Sequence, residues 1–335
     1  MKIDALRQRF PDEESCRAFF ESVLWPDGPV CPHCHGKKAW GLRGQRPGLH
    51  ECAGCGKQFT LTTKTPFHAT KLSLWVWLQA MYYLCYSSKG VSSVYLARWL
   101  GLSQKSAWKI LHALRAVLHI HQCALPALKG VVEVDEKFLG GKPRHQEGVK
   151  HKRGRGTRKS CILVAVERHG SARAVPVAND SVATLEPLIK QMVSPEAVLM
   201  SDELSAYRHI GRQFASHHSV NHGQKEFARG DVHNNTAEAF NALLERAKLG
   251  VYHYMSKQHL VRYVAEVVFR WNQRVATEKT VGANNQNQTI KIVMKPLPLM
   301  QQLRNLLGVA QGCQVRRTAN SGIRLLPGAV PLFGL

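Results

Sequence analysis

The sequence predicts a multidomain protein in which a zinc ribbon and a helical, helix-turn-helix-like region precede an α/β domain built on a mixed sheet. Two Cys-x2-Cys pairs lie between residues 31 and 55, apolar residues recur at helical spacing over 72–118, and alternating strand patterns start at Gly130. The predicted boundaries are 1–70 for an N-terminal helix and ribbon, 71–128 for the helical region, 129–275 for the α/β domain and 276–335 for a C-terminal extension.

The charge of the chain indicates the class of partner. Of the 335 residues, 46 are Lys or Arg and 23 are Asp or Glu, which gives a formal net charge of +23. Such an excess repels itself unless a polyanion is bound, so nucleic acid is the leading expected partner. The sequence shows no secretory signal, lipidation motif or apolar stretch long enough to span a bilayer. We therefore expect a cytoplasmic, nucleoid-associated protein with no membrane partner.

The first element is a helix that starts at the Phe10-Pro-Asp-Glu-Glu motif and runs to about Leu24, with carboxylates in its first turn where the helix dipole favours them. The ribbon follows. Its cysteines have the spacing C-x2-C-x17-C-x2-C, so that each pair can direct two thiolates at one tetrahedral zinc ion. The alternative is four free thiols or two disulfides. Because four thiolates already complete the ligand set, the nearby histidines are expected to contact the ligands or lie on the surface. The predicted zinc ligands are Cys31, Cys34, Cys52 and Cys55, and the nearby histidines are His33, His35 and His50.

Three helices are predicted for the helical region. Gly101 suits a helix C-terminus and Ser103 can cap the next helix, which is the arrangement of a helix-turn-helix. Polar groups on the following helix could contact phosphates and base edges, with Lys105 and Lys109 as the expected DNA-binding residues. The other polar groups on this helix are Gln104, Ser106, His112 and Arg115. A simple helical linker domain is the alternative.

The α/β domain is predicted from the order of its elements. Strands are expected at 131–138, 161–167 and 172–177, followed by alternating helices and strands and a long helix from Thr236. The order β-β-β-α-β-α-β-α is that of a ribonuclease H-like core.

Acidic residues are scarce in this domain, and three of them stand at places where a site can form. Asp135 lies on the first strand, Asp202 follows a buried strand, and Glu238 lies in the first turn of the final helix. Three converging carboxylates supply the hard oxygen ligands that two Mg²⁺ ions require, with Mn²⁺ able to substitute. Each acid also has a local alternative, since Asp202 could cap a turn and Glu238 could simply favour a helix N-terminus.

Motifs spread over roughly residues 10 to 275 match a known family. They include Trp25-Pro-Asp-Gly-Pro-Val-Cys-Pro, Val132-Glu-Val-Asp-Glu, Gly140-Gly-Lys, His233-Asn-Asn-Thr-Ala-Glu238, Gly250-Val-Tyr-His and Phe269-Arg-Trp-Asn272. In these motifs the chain resembles bacterial insertion-sequence transposases of the ISXO-like group, which carry a zinc ribbon ahead of a DDE nuclease domain. The resemblance implies a DDE-type enzyme that cleaves DNA at transposon ends and transfers the exposed 3′-hydroxyl into target DNA, with Asp135, Asp202 and Glu238 as the metal-binding triad. We expect terminal inverted repeats and target DNA as partners and a homo-oligomer on DNA.

One position departs from the family pattern. The family commonly places a basic residue seven after the third acid, where this chain has Glu245. Arg246, one step further on, is expected to replace that cation in contacting DNA. His233 and Asn235 precede Glu238 closely enough to support the site, and capping of the helix is the alternative for both.

A basic segment at 142–159 holds eight Lys or Arg residues against one Glu, and it follows the strand that bears Asp135. We expect this segment to grip phosphates, and a solvated loop is the alternative. Its predicted DNA-binding residues are Lys152, Arg153, Arg155 and Arg158.

Two other functions remain open at this point. One is a zinc-ribbon, helix-turn-helix DNA-binding regulator whose nuclease-like domain is inactive, an alternative that Glu245 supports. The other is a structure-selective nuclease on the same fold.

Overall fold

A computed structural model describes residues 1–42, 44, 46–141, 157, 159–281, 289–310, 313–317 and 323–325. The chain divides into two compact units, one formed by Met1–Ala124 with Pro298–Leu335 and the other by Leu125–Leu297. The four boundaries predicted from the sequence stay predictions. Among the helices within the described residues, none has the length and apolar character needed to cross a membrane.

The first unit begins with two short helices and the ribbon. The second helix starts at a capping box, in which the backbone N–H of Ser15 donates to the Asp12 carboxylate at 2.7 Å and the Ser15 hydroxyl accepts from the N–H of Asp12. The helix predicted from the Phe10-Pro-Asp-Glu-Glu motif is therefore confirmed, with its end at Leu24. A three-stranded antiparallel sheet of order β1-β2-β3 follows. The elements are α1 (Ile3–Arg9), α2 (Glu13–Leu24), β1 (Ala39–Gly41), β2 (His50–Cys52) and β3 (Gln58–Phe59).

The next three helices lie where the apolar spacing predicts them. Gly101 ends the second of them in the left-handed conformation with φ of 64°, which glycine adopts without a steric penalty. Ser103 then accepts a hydrogen bond from the backbone N–H of Ser106 at 3.2 Å, at the start of the third helix. A DNA-binding role for this region stays a prediction. The helices are α3 (Leu74–Tyr86), α4 (Ser93–Leu100) and α5 (Gln104–Ala124).

The amphipathic segment near the C-terminus returns to the first unit. Its helix buries Leu303, Leu306 and Leu307, and it packs against α2 and α3. The elements that complete the described chain are numbered below in chain order.

The second unit is built on a five-stranded mixed sheet. Its strand order is β6-β5-β4-β7-β8. Strand β5 pairs antiparallel with both β4 and β6. Strand β7 pairs parallel with β4, and β8 pairs parallel with β7. This sheet confirms the predicted α/β mixed-sheet class. The strands and helices of this part are β4 (Val131–Leu139), β5 (Ser160–Glu167), β6 (Ala172–Val177), α6 (Val182–Met192), β7 (Val198–Ser201), α7 (Ser205–Ile210), β8 (Ser216–Ser219), β9 (Ala228–Arg229), β10 (Val232–His233), α8 (Asn235–Ala247) and α9 (Leu260–Asn272).

Helices cover both faces of the sheet. Val132 and Val134 of β4 pack with residues of α6 and α7 on one face. Residues of β5 pack with α8 and α9 on the other face. Because side chains alternate along a strand, Glu133 and Asp135 of β4 point toward the α8 face. The polar residues of β4 therefore lie beneath the helix that carries Glu238.

After α9 the chain forms a long two-stranded antiparallel hairpin and then enters the C-terminal helix. The base of the hairpin is closed by a hydrogen bond from the N–H of Leu297 to the carbonyl of Gln273 at 2.9 Å. Residues 282–288, which separate its two strands in the sequence, lie outside the described residues. The remaining elements are β11 (Arg274–Val281), β12 (Thr289–Pro296), α10 (Leu299–Gly308), β13 (Val315–Arg317) and β14 (Ile323–Leu325).

Candidate functional site

The four ribbon cysteines converge on one point. The Sγ atoms of Cys31 and Cys55 lie 3.7 Å apart, those of Cys34 and Cys52 lie 3.5 Å apart, and all four lie within 4.8 Å of one another. Four thiolates about 2.3 Å from a tetrahedral Zn²⁺ ion would stand roughly 3.8 Å apart. The arrangement therefore fits one zinc ion, and no disulfide joins these four cysteines.

The chain around the thiols is shaped for this convergence. A Cβ atom at Gly36 would lie only 3.3 Å from the Cys34 Sγ and 3.4 Å from the Cys52 Sγ, so a larger residue there would crowd the site. Hydrogen bonding from the backbone N–H of Cys55 lowers the pKa of the Cys52 thiol, which favours the thiolate that binds metal. His50, one of the nearby histidines, instead stacks on Phe59.

In the second unit, Asp135 and Asp202 are brought together by neighbouring parallel strands. Glu133 of β4 is in register with Met200 of β7. Asp135 follows two residues further along β4, and Asp202 follows directly after β7 ends at Ser201. Carboxylate oxygens of Asp135, Glu136 and Asp202 lie within 4.8 Å of one another. Sequence reasoning predicted the first and third of these residues and missed Glu136.

Burial and like charges act on Asp135. Desolvation, then the charge of Asp202 and more weakly that of Glu238, raise the pKa of Asp135 to about 6. Glu238 lies in the first turn of α8, with about half of its side chain exposed, and its Oε1 is 4.0 Å from Nε2 of His222. Asp135 and Asp202 thus converge, whereas Glu238 does not belong to the group of carboxylates that lie within 4.8 Å of one another.

Another carboxylate, that of Glu133, holds α8 over the sheet. Glu133 is completely buried, and its carboxylate accepts hydrogen bonds from the backbone N–H groups of Thr236 at 2.6 Å and Ala237 at 3.0 Å. These are among the N–H groups that a helix start leaves without partners. The Asn234 side chain makes no capping bond to the helix. Glu133 therefore caps α8 from the neighbouring strand.

Arg168 balances the buried charge of Glu133. Its Nε lies 2.7 Å from the Glu133 Oε1, and its guanidinium donates to the carbonyl of His233 at 3.0 Å. The His233 Nδ1 lies 3.3 Å from the same Glu133 oxygen. His233 thus contacts the residue that caps α8.

Two amides attach α8 to the middle of β4. The side-chain N–H of Asn234 donates to the carbonyl of Val134 at 3.1 Å, and that of Asn241 donates to the Asp135 carboxylate at 2.7 Å. The second bond lowers the pKa of Asp135 in opposition to the effects that raise it. Asp135 is therefore oriented by the same helix that bears Glu238.

The other predicted residues of this region take different places. Asn235 is exposed as the first residue of α8, and the helix is capped by Glu133 instead. Arg246 is exposed at the end of the helix. Glu245 pairs with Lys248 at 3.0 Å and with Lys137 at 3.7 Å. The acid at the unexpected position is thus matched by two cations.

The predicted DNA-contacting residues divide into two groups. Lys105 and Lys109 are exposed on α5, as predicted. His112 and Arg115 on the same helix are buried, so the expectation that they face phosphates is wrong. The predicted residues of the basic segment, Lys152, Arg153, Arg155 and Arg158, lie outside the described residues.

Two separate segments of the chain match families of known protein domains. Residues 11–58 match the family described as transposase zinc-ribbon domain, and residues 127–272 match the ISXO2-like transposase domain. The chain carries an ISXO2-like transposase domain. A protein described as "Uncharacterized protein in transposable element ISH50", from Halobacterium salinarum, is 26% identical over 269 residues, which are 76% of this chain and 89% of that protein.

The likeness to solved structures is weak. The crystal structure of the Mos1 strand transfer complex matches with a TM-score of 0.22 and 11% identity over 58% of this chain and 76% of that chain. The pre-cleavage Mos1 transpososome matches with a TM-score of 0.20 and 14% identity over 58% and 75%. These scores are too low to support a shared fold. The assignment to the transposases rests on the sequence matches.

Proposed function

We propose that this transposase cleaves DNA at the ends of an insertion element and transfers the exposed 3′-hydroxyl into target DNA. The observation that carries the proposal is the meeting of Asp135 and Asp202 beneath the helix that bears Glu238, within a transposase domain. We assign these three residues as the catalytic, DDE-type metal-binding triad.

The observed order of elements from β4 to α8 supports a ribonuclease H-like core. Three antiparallel strands are followed by α6, β7, α7, β8, the short pair β9 and β10, and then α8. Apart from β9 and β10, this is the order that the sequence predicts. In such a core the acids come from the first strand, the end of a neighbouring parallel strand and a helix packed on the sheet. Sites at the ends of parallel strands form because those ends meet at one edge.

The donor set fits magnesium. All of the converging side chains offer carboxylate oxygens, the ligands that Mg²⁺ and Mn²⁺ prefer. Burial, together with the charge of Asp202, raises the pKa of Asp135. When bound, two such ions supply activation of the attacking oxygen and stabilisation of the leaving oxygen at a phosphate. We propose Asp135, Asp202 and Glu238 as the holding residues.

The chain's own residues keep these acids in place and leave room for the substrate. Asn241 orients the Asp135 carboxylate, and the N–H of Leu204 donates to the Asp202 carboxylate at 3.0 Å. Glu133 fixes the start of α8 and therefore the position of Glu238. Because about half of the Glu238 side chain is exposed, DNA can approach from its side.

We propose DNA as the partner, in the form of terminal inverted repeats and target sites bound by a homo-oligomer. The net charge of +23 and the exposed Lys105 and Lys109 support it. In this proposal the zinc ribbon and the helix-turn-helix-like region within residues 1–128 recognise ends, the basic segment within 142–159 grips phosphates, and 129–275 is the catalytic domain.

The decisive experiment compares the intact protein with Asp135→Asn, Asp202→Asn and Glu238→Gln. The substrate is plasmid DNA carrying the gene with its natural flanking sequence. Each variant should lose Mg²⁺-dependent cleavage and strand transfer by at least about 1000-fold, since each keeps the side-chain size and removes a charge that holds metal. Binding of the DNA without divalent ions should stay within about threefold.

The matched control is Asp231→Asn, which removes an exposed acid from the turn between β9 and β10. It should cleave like the unaltered protein. If the unaltered protein binds the plasmid ends but cuts nothing with Mg²⁺ or Mn²⁺, the DNA-binding regulator with an inactive nuclease-like domain replaces this proposal. Cutting of branched DNA without preference for the ends would indicate the structure-selective nuclease.

A further inference from the structure

The hairpin formed by β11 and β12 lies beyond the matched transposase domain, which ends at residue 272. Eight residue pairs join the two strands, from Arg274 opposite Pro296 to Val281 opposite Thr289. At about 3.4 Å per residue the hairpin is roughly 25 Å long. It pairs with no third strand among the described residues.

The base of this hairpin is firmly attached to the preceding helix. The guanidinium of Arg274 lies over the Trp271 ring, 3.7 Å from its centre, and its Nε donates to the Trp271 carbonyl at 3.0 Å. Trp271 in turn packs on Phe240 of α8. The hairpin is thus anchored to the helices that cover the proposed catalytic acids.

One face of the hairpin is basic. Directly opposed residues of an antiparallel pair point to the same side, and side chains alternate along each strand. Lys279 stands directly opposite Lys291, and Lys295 lies four residues further along the same face. All three lysines are exposed, and none of them forms an ion pair within the described part of the chain.

This arrangement works against the stability of an isolated ribbon. Like charges directly opposite each other on neighbouring strands are unfavourable, and a two-stranded ribbon by itself is marginal in water. The only acid on the two strands, Glu278, alternates onto the other face. A bound polyanion would remove the repulsion between Lys279 and Lys291.

We propose that the basic face, defined as Lys279, Lys291 and Lys295, binds the phosphate backbone of duplex DNA. A two-stranded ribbon has the width that the major groove admits, and Lys291 and Lys295 stand about 13 Å apart along it, close to the rise of four base pairs. The inference rests on the proposed action on DNA and adds a second contact surface to it.

The opposite face offers a different occupant. It carries Ile290, Ile292 and Met294, of which Ile290 is 68% exposed, and such a surface could pack on a second copy of the chain. DNA is assigned to the lysine face because that face carries three cations and no acid, and because the whole chain is strongly basic.

The experiment measures binding of a fluorescent 30-base-pair duplex in EDTA over a range of NaCl concentrations. The test variant is the full chain with Lys279→Gln, Lys291→Gln and Lys295→Gln. Its matched control also loses three exposed cations, through Lys190→Gln, Arg208→Gln and Arg212→Gln. These three lie in or next to α6 and α7, which cover the face of the five-stranded sheet opposite to α8. Circular dichroism checks that both variants fold, and Lys→Arg at the three test positions keeps the charge.

The slope of log K against log salt should become shallower by about two to three units in the test variant, about one for each lost phosphate contact. The control and the Lys→Arg variant should keep the original slope within about half a unit. An equal slope for test and control variants overturns the inference, and so does a test variant that changes only the molar mass measured by light scattering. If the unaltered protein does not bind the duplex, the proposed function itself fails.

Discussion

The Glu133 carboxylate accepts a hydrogen bond from the backbone N–H of Thr236 at 2.6 Å, across 103 residues of sequence. The bond joins the first strand of the sheet to the first turn of α8. Since Asp135 lies two residues after Glu133 and Glu238 lies two after Thr236, this contact sets the separation of two proposed catalytic acids. Changes at Glu133 should therefore be felt at both.

Glu133→Gln should loosen the start of α8. The change removes the charge that pairs with Arg168 and brings an amide N–H against the backbone donors, and breaking such a buried pair costs about 3 kcal/mol. Hydrogen–deuterium exchange should quicken in the peptide covering 233–247. The control, Glu186→Gln, removes a partly exposed acid of α6 paired with Lys190 and should leave that peptide unchanged. Equal exchange in the two variants would contradict the capping role.

Asp135→Asn should stabilise the metal-free protein at neutral pH. The folded-state pKa of Asp135 is raised to about 6 from 3.8. Its ionisation therefore costs stability progressively as the pH rises from about 4 to about 6, and the cost disappears at about pH 3, where the carboxyl is protonated in both the folded and the unfolded state. Thermal unfolding in EDTA should show a gain of about 3 kcal/mol at pH 7.5 and almost none at about pH 3. A gain that does not depend on pH would show that charge is not its cause.

Glu245→Gln should keep Mg²⁺-dependent cleavage. Glu245 is paired with Lys137 and Lys248 rather than with the catalytic acids, so its removal frees two cations near the site. Binding to duplex DNA should tighten by about two- to tenfold at low salt, with a steeper salt dependence. Loss of cleavage as complete as that of Glu238→Gln would instead identify Glu245 as a metal ligand.

The zinc ribbon at the N-terminal side of the chain should hold one zinc ion. Protein purified without chelator should contain about one equivalent by elemental analysis, and Cys31→Ser or Cys52→Ser should lose it and unfold the ribbon, because the metal supplies much of the folding free energy of so small a module. Cys123→Ser, a change outside the ribbon, is the control and should keep the zinc. Less than half an equivalent in the unaltered protein would remove the zinc assignment.

Much of this site could be predicted because its signals are local. The C-x2-C spacing fixes four ligands within 25 residues, and the pattern around Asp135 and Asp202 marks a strand and a strand end. Glu133 had a local signal that was missed: an acid one residue from two buried valines of a strand has to find a partner inside the fold. Glu136 and Asn241 had no such signal, since their role depends on which side chains face them.

The sequence by itself determined the order of the modules, the cysteines proposed to bind zinc and the mixed α/β class, since these depend on spacing, periodicity and charge along the chain. Only the tertiary structure decided that Glu133 caps α8, that Lys137 and Lys248 pair with Glu245, and that Lys279 lies opposite Lys291 in the hairpin of β11 and β12. The reason is physical. A hydrogen bond or ion pair acts over a few ångströms, and residues far apart in sequence come that close only when strand register and helix packing bring them together.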